Sequence, residues 1–273
     1  EECAREGREP ENRLVGLALA HDADGMPRAQ RGDALEIVAA GHDFYAALVF
    51  SPDARRLVFL AWDHPHMPWH ETVLEQVAWS GTGAASGVRG LAGGRGESLF
   101  QPGFGADGAL YVVSDRSGFW NLARVGDDGL HPVHRDRVEL GRPLWQLGAS
   151  TWTCTGAGRV IASVTDGGRD GLAALDLSQG ALDAWPSEFC TVGGLASERG
   201  RIAFVASTPT RALALYLASE GDRGAAAVCV RDGGSAVLDD RATSRAEALV
   251  LSLPDGRTTH AFFYPPTSRV ASG

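Results

Sequence analysis

Apolar residues along this chain gather in short, nearly unbroken runs that follow turn residues, and helical stripes are hard to find. Four segments repeat the arrangement: "FSPDARRLVFLAW" (50–62), "FGADGALYVVS" (104–114), "CTGAGRVIASV" (154–164) and "LASERGRIAFVA" (195–206). A strand with one wet face should alternate apolar and polar residues. Runs such as "LVFLAW" and "IAFVA" do not, so they read as strands covered on both faces. With Leu57, Leu110, Val160 and Ile202 as markers, the runs recur at roughly 40–50 residues, the period of propeller blades. The expected fold class is all-β: a β-propeller of four-stranded antiparallel blades.

Turn chemistry supports that frame. Asp or Gly precedes each marker strand and supplies the left-handed backbone that tight hairpins need. Each marker strand is followed by a loop ("DHPHMPWHE", "SDRSGFWN", "TDGGRDG", "STPTRA") and then a third strand ("TVLEQVAW", "LARV", "LAALDL", "LALYLA"). A fourth often follows, as in "LDAWP". With strands labelled a to d, these loops are the b–c connections, and all should emerge at one end of the strands. Blades are expected near 12–42, 43–92, 98–135, 143–186 and 190–240, together a partial propeller over 1–245. Beyond it, 246–273 reads as a hairpin through Pro254-Asp255-Gly256 and a linker.

Composition narrows the partners. A 44% hydrophobic content is that of a globular chain and argues against disorder. The net charge of −9 argues against nucleic acid or an anionic membrane as a main partner. No apolar run reaches the length of a spanning helix. Every basic residue is arginine, which reads as genomic codon bias. Cys3, Cys154, Cys190 and Cys229 are scattered, so buried thiols in a reducing, cytoplasmic setting are expected. The chain opens on "EECAREGREPEN" and closes on "TSRVASG", and both ends read as cuts through a longer protein.

Candidate chemistry concentrates in "WDHPHMPWHET" (62–72). His64, His66, His70 and Glu71 are zinc-ligand types, but Pro65 and Pro68 stiffen the path between them. The expectation is therefore no metal and no other cofactor. Instead the loop should be rigid, with Trp62 and Trp69 packed into neighbouring blades and Asp63 capping the turn. Asp115 and Arg116, ahead of Phe119-Trp120-Asn121, could clamp a substrate carboxylate. The preferred reading is an Asp–Arg pair pinning the b–c turn, with Trp120 as core, and Asp166 with Arg169 read the same way. His42 and Asp43 read as a capped turn leading into an aromatic strand. Cys154 and Cys190 read as small buried hydrophobes.

These residues carry a family likeness. "GHDFYAALVFSPDARRLVFLAWDHPHMPWHET" (41–72) resembles the propeller of bacterial prolyl oligopeptidase-family serine peptidases, nearest their acylaminoacyl-peptidase and dipeptidyl-peptidase branch. "VVSDRSGFWNLARV" (112–125) is similar to that family's blade motif. "HAFFYPPTS" (260–268) is similar to the passage into its α/β-hydrolase domain. The resemblance implies a seven-bladed ring, of which this chain would hold about five blades, over a Ser-Asp-His triad displayed in G-x-S-x-G. That motif is absent: "GASTW" around Ser150 and "GGSAV" around Ser235 lack the final glycine. No catalytic residue is thus assigned, and the chain alone is expected to be inactive.

The implied role is gating: a ring of blades admits short peptides to an active site housed elsewhere. Asp63, His64, His66, Trp69, His70, Arg116 and Trp120 are the candidate gating or interdomain residues. The partner is then a peptide bound through the hydrolase domain, and open blade edges are expected to favour self-association. One rival is a free-standing TolB-like propeller acting as a scaffold or ligand-binding module. A metal-dependent propeller lactonase would need inward carboxylates from several blades, and no such series recurs.

Overall fold

A computed structural model describes residues 2–3, 10–29, 35–80, 87–156, 158–223, 227–234, 239 and 241–267. Ser235 and the end of the linker lie outside them. The described residues form 23 strands and one 3-10 turn, without an α-helix. No helix among them is long and apolar enough to cross a membrane.

The strands fall into consecutive antiparallel sheets. β1 (Glu2–Cys3), β2 (Glu11–Gly16) and β5 (Glu36–Ala40) make a three-stranded sheet, with β3 (Ala20–His21) and β4 (Pro27–Arg28) as a hairpin between β2 and β5. Four four-stranded sheets follow, each in simple sequence order. The first holds β6 (Phe44–Phe50), β7 (Arg56–Trp62), β8 (Val73–Ala78) and β9 (Arg89–Gly93). The second holds β10 (Leu99–Phe104), β11 (Leu110–Ser114), β12 (Asn121–Gly126) and β13 (Gly129–Pro132). The third holds β14 (Trp152–Gly156), β15 (Arg159–Asp166), β16 (Arg169–Asp176) and β17 (Leu182–Trp185). The fourth holds β18 (Thr191–Glu198), β19 (Arg201–Thr208), β20 (Arg211–Ser219) and β21 (Val228–Arg231). β22 (Glu247–Ser252) and β23 (Thr258–Phe263) pair as a separate hairpin. The chain is an all-β, propeller-type repeat of four-stranded blades.

The chain divides into two compact units, residues 1–136 with 141–149, and residues 137–140 with 150–273. In the first, the unbroken run of β7 is explained by two cores. Leu57, Phe59 and Ala61 pack with Val38 and Ala39 of β5, while Val58 and Leu60 pack with Leu99, Leu110 and Val112 of the next sheet. Alternate side chains leave a strand on opposite faces, so a strand sandwiched between sheets must be apolar throughout. In the second unit, Ile161 and Leu172 meet Val192, Ile202, Phe204 and Tyr216 in one core between the third and fourth sheets.

β19 departs from the expectation of burial on both faces. Ile202, Phe204 and Ala206 are buried, whereas Ala203 and Val205 are only partly covered. On β20 and β21, Leu213, Leu215, Val228 and Val230 are exposed. The run "IAFVA" is apolar on both faces although only one is buried.

Each four-stranded sheet also carries the same irregularity. Its first strand holds one residue more than its partner: between Ala46 and Val49, Phe100 and Gly103, Cys154 and Gly156, and Gly193 and Ala196. Within these bulges Ala47, Gln101 and Gly194 take positive φ. An extra residue of this kind bends the strand and strengthens its twist.

Candidate functional site

The histidine-rich segment 63–72 is the b–c connection of the first four-stranded sheet, between β7 and β8. Two dipeptides of mirrored order hold its near end. The Oδ1 of Asp63 accepts the Asp43 backbone N–H at 2.7 Å, and its Oδ2 lies 2.8 Å from Nδ1 of His42. In return, Oδ2 of Asp43 accepts the His64 backbone N–H at 2.8 Å and lies 2.9 Å from Nδ1 of His64. "HD" at the entry to the first strand is thus cross-tied to "DH" at the exit from the second. The Asp63 carboxylate thus serves another segment, and its own turn closes through the Asp63 backbone carbonyl, which accepts the His66 N–H at 3.0 Å.

The far end is tied to the following sheet. The hydroxyl of Ser98 donates to the Pro68 carbonyl at 2.6 Å, and the buried Thr72 hydroxyl accepts the Leu99 N–H at 2.6 Å. Glu71 accepts the Gly96 N–H at 3.3 Å. The loop is therefore held by both sheets.

Its histidines do not converge. His64 faces Asp43, His66 approaches Glu71 at 4.0 Å, and Nδ1 of His70 accepts the Met67 N–H at 3.4 Å. Among the described residues no three His, Cys, Asp or Glu side chains are grouped as a metal ion would need. What the loop does build is an apolar cleft of about 290 Å³. Trp69 and Trp145 form one wall with ring centroids 4.1 Å apart; Phe44, Trp62, Met67 and Leu147 also line it. Trp145 is 74% exposed, so this wall is open to a ligand. Leu144, Trp145 and Leu147 were not singled out from the sequence. Their signal was three large apolar residues in a segment with no strand pattern.

Several expectations need correction. Trp62 stacks on Phe44 of its own sheet at 5.3 Å. Asp115 and Arg116 do not pair with each other. Asp115 accepts the Ser98 N–H at 2.8 Å, and Arg116 forks onto Glu97 at 2.8 and 2.9 Å. Burial alone would raise the Glu97 carboxyl, but Arg116 and the Ser114 hydroxyl outweigh it and hold it low. Trp120 is half-buried, edge-on to Phe100 at 6.0 Å. Arg169 leaves Asp166 and donates to the Ala246 carbonyl, its guanidinium 5.9 Å from the Phe262 ring. Asp170 is the structural residue of that loop, accepting from the Thr165 hydroxyl at 2.5 Å and the Val192 N–H at 3.0 Å. Cys154 is partly covered and Cys190 exposed, so neither is a buried thiol.

The clasp titrates. Burial of the His42 ring opposes protonation, but its bond to Asp63 and the charges of Glu75 and Asp63 outweigh that and raise its pKa. A raised folded-state pKa stabilises the protein fully below the ordinary imidazole value of about 6.5 and loses that contribution as pH rises through the higher folded value. The His42→Gln variant is accordingly expected to be less stable than wild type near pH 5.5 and to approach it above pH 8. Urea midpoints at the two pH values check this; a pH-independent difference would show that His42 acts only by packing.

Several solved structures resemble the chain over most of its length. A puromycin hydrolase matches with a TM-score of 0.78 and 29% identity, over 87% of this chain and 36% of its own. A puromycin-hydrolyzing peptidase from Mycobacterium tuberculosis matches with a TM-score of 0.76 and 25% identity, over 85% and 36%. The chain is similar to the propeller portion of prolyl oligopeptidase-family peptidases. Prolyl oligopeptidase B of Galerina marginata, at 13% identity and a TM-score of 0.63 over 95% of this chain and 36% of its own, shares the fold. No family model and no curated protein matches. The chain spans only about 36% of these prolyl oligopeptidase-family structures, the length of a propeller portion.

Proposed function

We propose that this chain is the non-catalytic propeller portion of a serine peptidase and that it governs which peptides reach an active site carried elsewhere in the protein. The supporting observation is where the chain leaves the blades. In the second unit the hairpin β22–β23 rests at the b–c ends of two sheets: Arg169, the first residue of β16, holds the Ala246 carbonyl, and Thr208 at the end of β19 and Pro209 after it line a cavity with Tyr264. A domain following Tyr264 would start on the b–c side of that unit. The histidine-rich loop is a b–c connection of the same kind, and the longest of the four.

A rigid b–c loop suits a gate. It fixes an aperture that admits extended peptides and rejects folded ones, and so sets substrate size without chemistry. Puromycin hydrolysis by the solved relatives makes small aminoacyl amides the first substrates to try.

Two assays test the proposal. The 273-residue chain alone is expected neither to turn over aminoacyl-nitroanilides nor to react with a fluorophosphonate probe. In the full-length protein, shortening the loop 64–70 to a glycine link should raise kcat/KM for peptides of about 30 residues on the order of tenfold, with little change for dipeptide amides. An unchanged size preference would remove the gate from the mechanism.

A further inference from the structure

A second cavity lies at the opposite end of the strands in the first unit, where a–b and c–d turns emerge. It measures about 460 Å³. Arg56 at the start of β7, Arg89 at the start of β9 and Arg124 on β12 line it, with Gln76 between the first two. Gln76 is Cα partner to both Val58 and Arg89, so these side chains continue the face that buries Val58 and Leu60 further along. The floor is apolar, formed by Leu91, Leu110 and Val125.

The donors here are largely unengaged. Among the described residues Arg56 makes no ion pair within 4 Å, and it lies over the Phe104 ring at 5.1 Å, a contact that bridges the two sheets. Arg89 comes no closer than 4.0 Å to Asp127, a fully exposed carboxylate. The side chains of Arg124 and Gln76 make no hydrogen bond or ion pair among the described residues. Of the acidic groups at the lip, Asp128 is already held by His131 at 2.7 Å. Arg56 and Arg89 share the face that carries Val58, so two like charges meet at one concavity, while Arg124, on the face of β12 opposite Ala123 and Val125, stands at its rim. An anion offering several oxygens would relieve that repulsion and accept paired N–H bonds from each fork.

We infer that this cavity binds a compact polyanion, a small molecule carrying two or more charges on phosphate or carboxylate oxygens. The apolar floor has room for a short hydrocarbon portion. The inference is independent of the peptidase reading, because neither the loop 63–72 nor the hairpin contributes to the cavity.

Isothermal titration of the 273-residue chain at constant ionic strength tests it, with inorganic pyrophosphate and citrate as the two probes. One of them should bind saturably at one site per chain. Arg89→Gln should weaken that binding about tenfold, the usual effect of losing a charge-assisted pair. Arg201→Gln, an exposed arginine of the second unit, should leave it unchanged. Circular dichroism confirms that the variants keep their β structure; Arg56 is left intact because it also packs on Phe104. Tighter pyrophosphate binding would mark a phosphate ligand, and tighter citrate binding a polycarboxylate. If neither probe saturates, or if Arg89→Gln binds as tightly as wild type, the inference is overturned.

Discussion

Phe204→Ala is expected to lower the stability of the second unit by about 3–5 kcal/mol, the usual cost of emptying a fully buried aromatic site. Phe204 is entirely buried at the centre of the core shared by the third and fourth sheets. Its ring lies parallel to Tyr216 at 5.6 Å and edge-on to Phe189 at 5.3 Å, so its removal also ends two aromatic contacts. The hole left by the ring cannot be refilled cheaply, because β19 is fixed by β18 and β20 on either side. A domain's whole stability is about 5–15 kcal/mol, so the unit should come close to unfolding at room temperature. Urea denaturation followed by tryptophan fluorescence measures it, and Phe204→Leu should recover more than half of the loss. A midpoint that barely moved for the alanine variant would mean that the two sheets do not pack as described.

Gly93→Ala should be comparably damaging for a different reason. Gly93 ends β9 with φ +86, a region where an L side chain costs roughly 1–2 kcal/mol. There a Cβ would also stand 2.2 Å from the Thr72 carbonyl oxygen and 2.8 Å from Leu99 Cδ1. The oxygen belongs to the backbone that carries the histidine-rich loop into β8, and it already accepts the Gly94 N–H at 2.8 Å. The clash must therefore displace either that loop end or β10. We expect a loss of at least about 3 kcal/mol, with strain and clash adding. Gly87→Ala separates the two effects, since its φ is +55 but nothing lies within 4 Å of its Cβ; it should cost about 1 kcal/mol. Equal losses at the two positions would show that backbone strain alone is at work.

The repeat was legible because it rests on short-range chemistry. Leu57, Leu110, Val160 and Ile202 all fall on the second strand of a four-stranded sheet, and the unbroken apolar run of β7 is buried on both sides. β19 shows the limit of that argument, because composition reports what a strand could bury and not what covers it. The site was less legible. That "WDHPHMPWHET" forms a b–c connection follows from strand order alone. Its partners His42, Asp43, Ser98 and Trp145 are distant in sequence, and no local spacing identifies them. Arg116 and Arg169 show the same failing: an adjacent acid was the obvious partner, yet twisted hairpin ends aim each guanidinium at another segment.

The extra residue in the first strand of all four sheets bears on how such a chain can change length. A single insertion shifts side-chain parity, so residues before and after it address opposite faces. Deleting it from one copy would turn half of that strand inside out while its three sister sheets kept their phase. Viable length variation is therefore confined to the connections, and the histidine-rich loop, longest of its kind here, is where the molecule can acquire a new aperture without disturbing any blade.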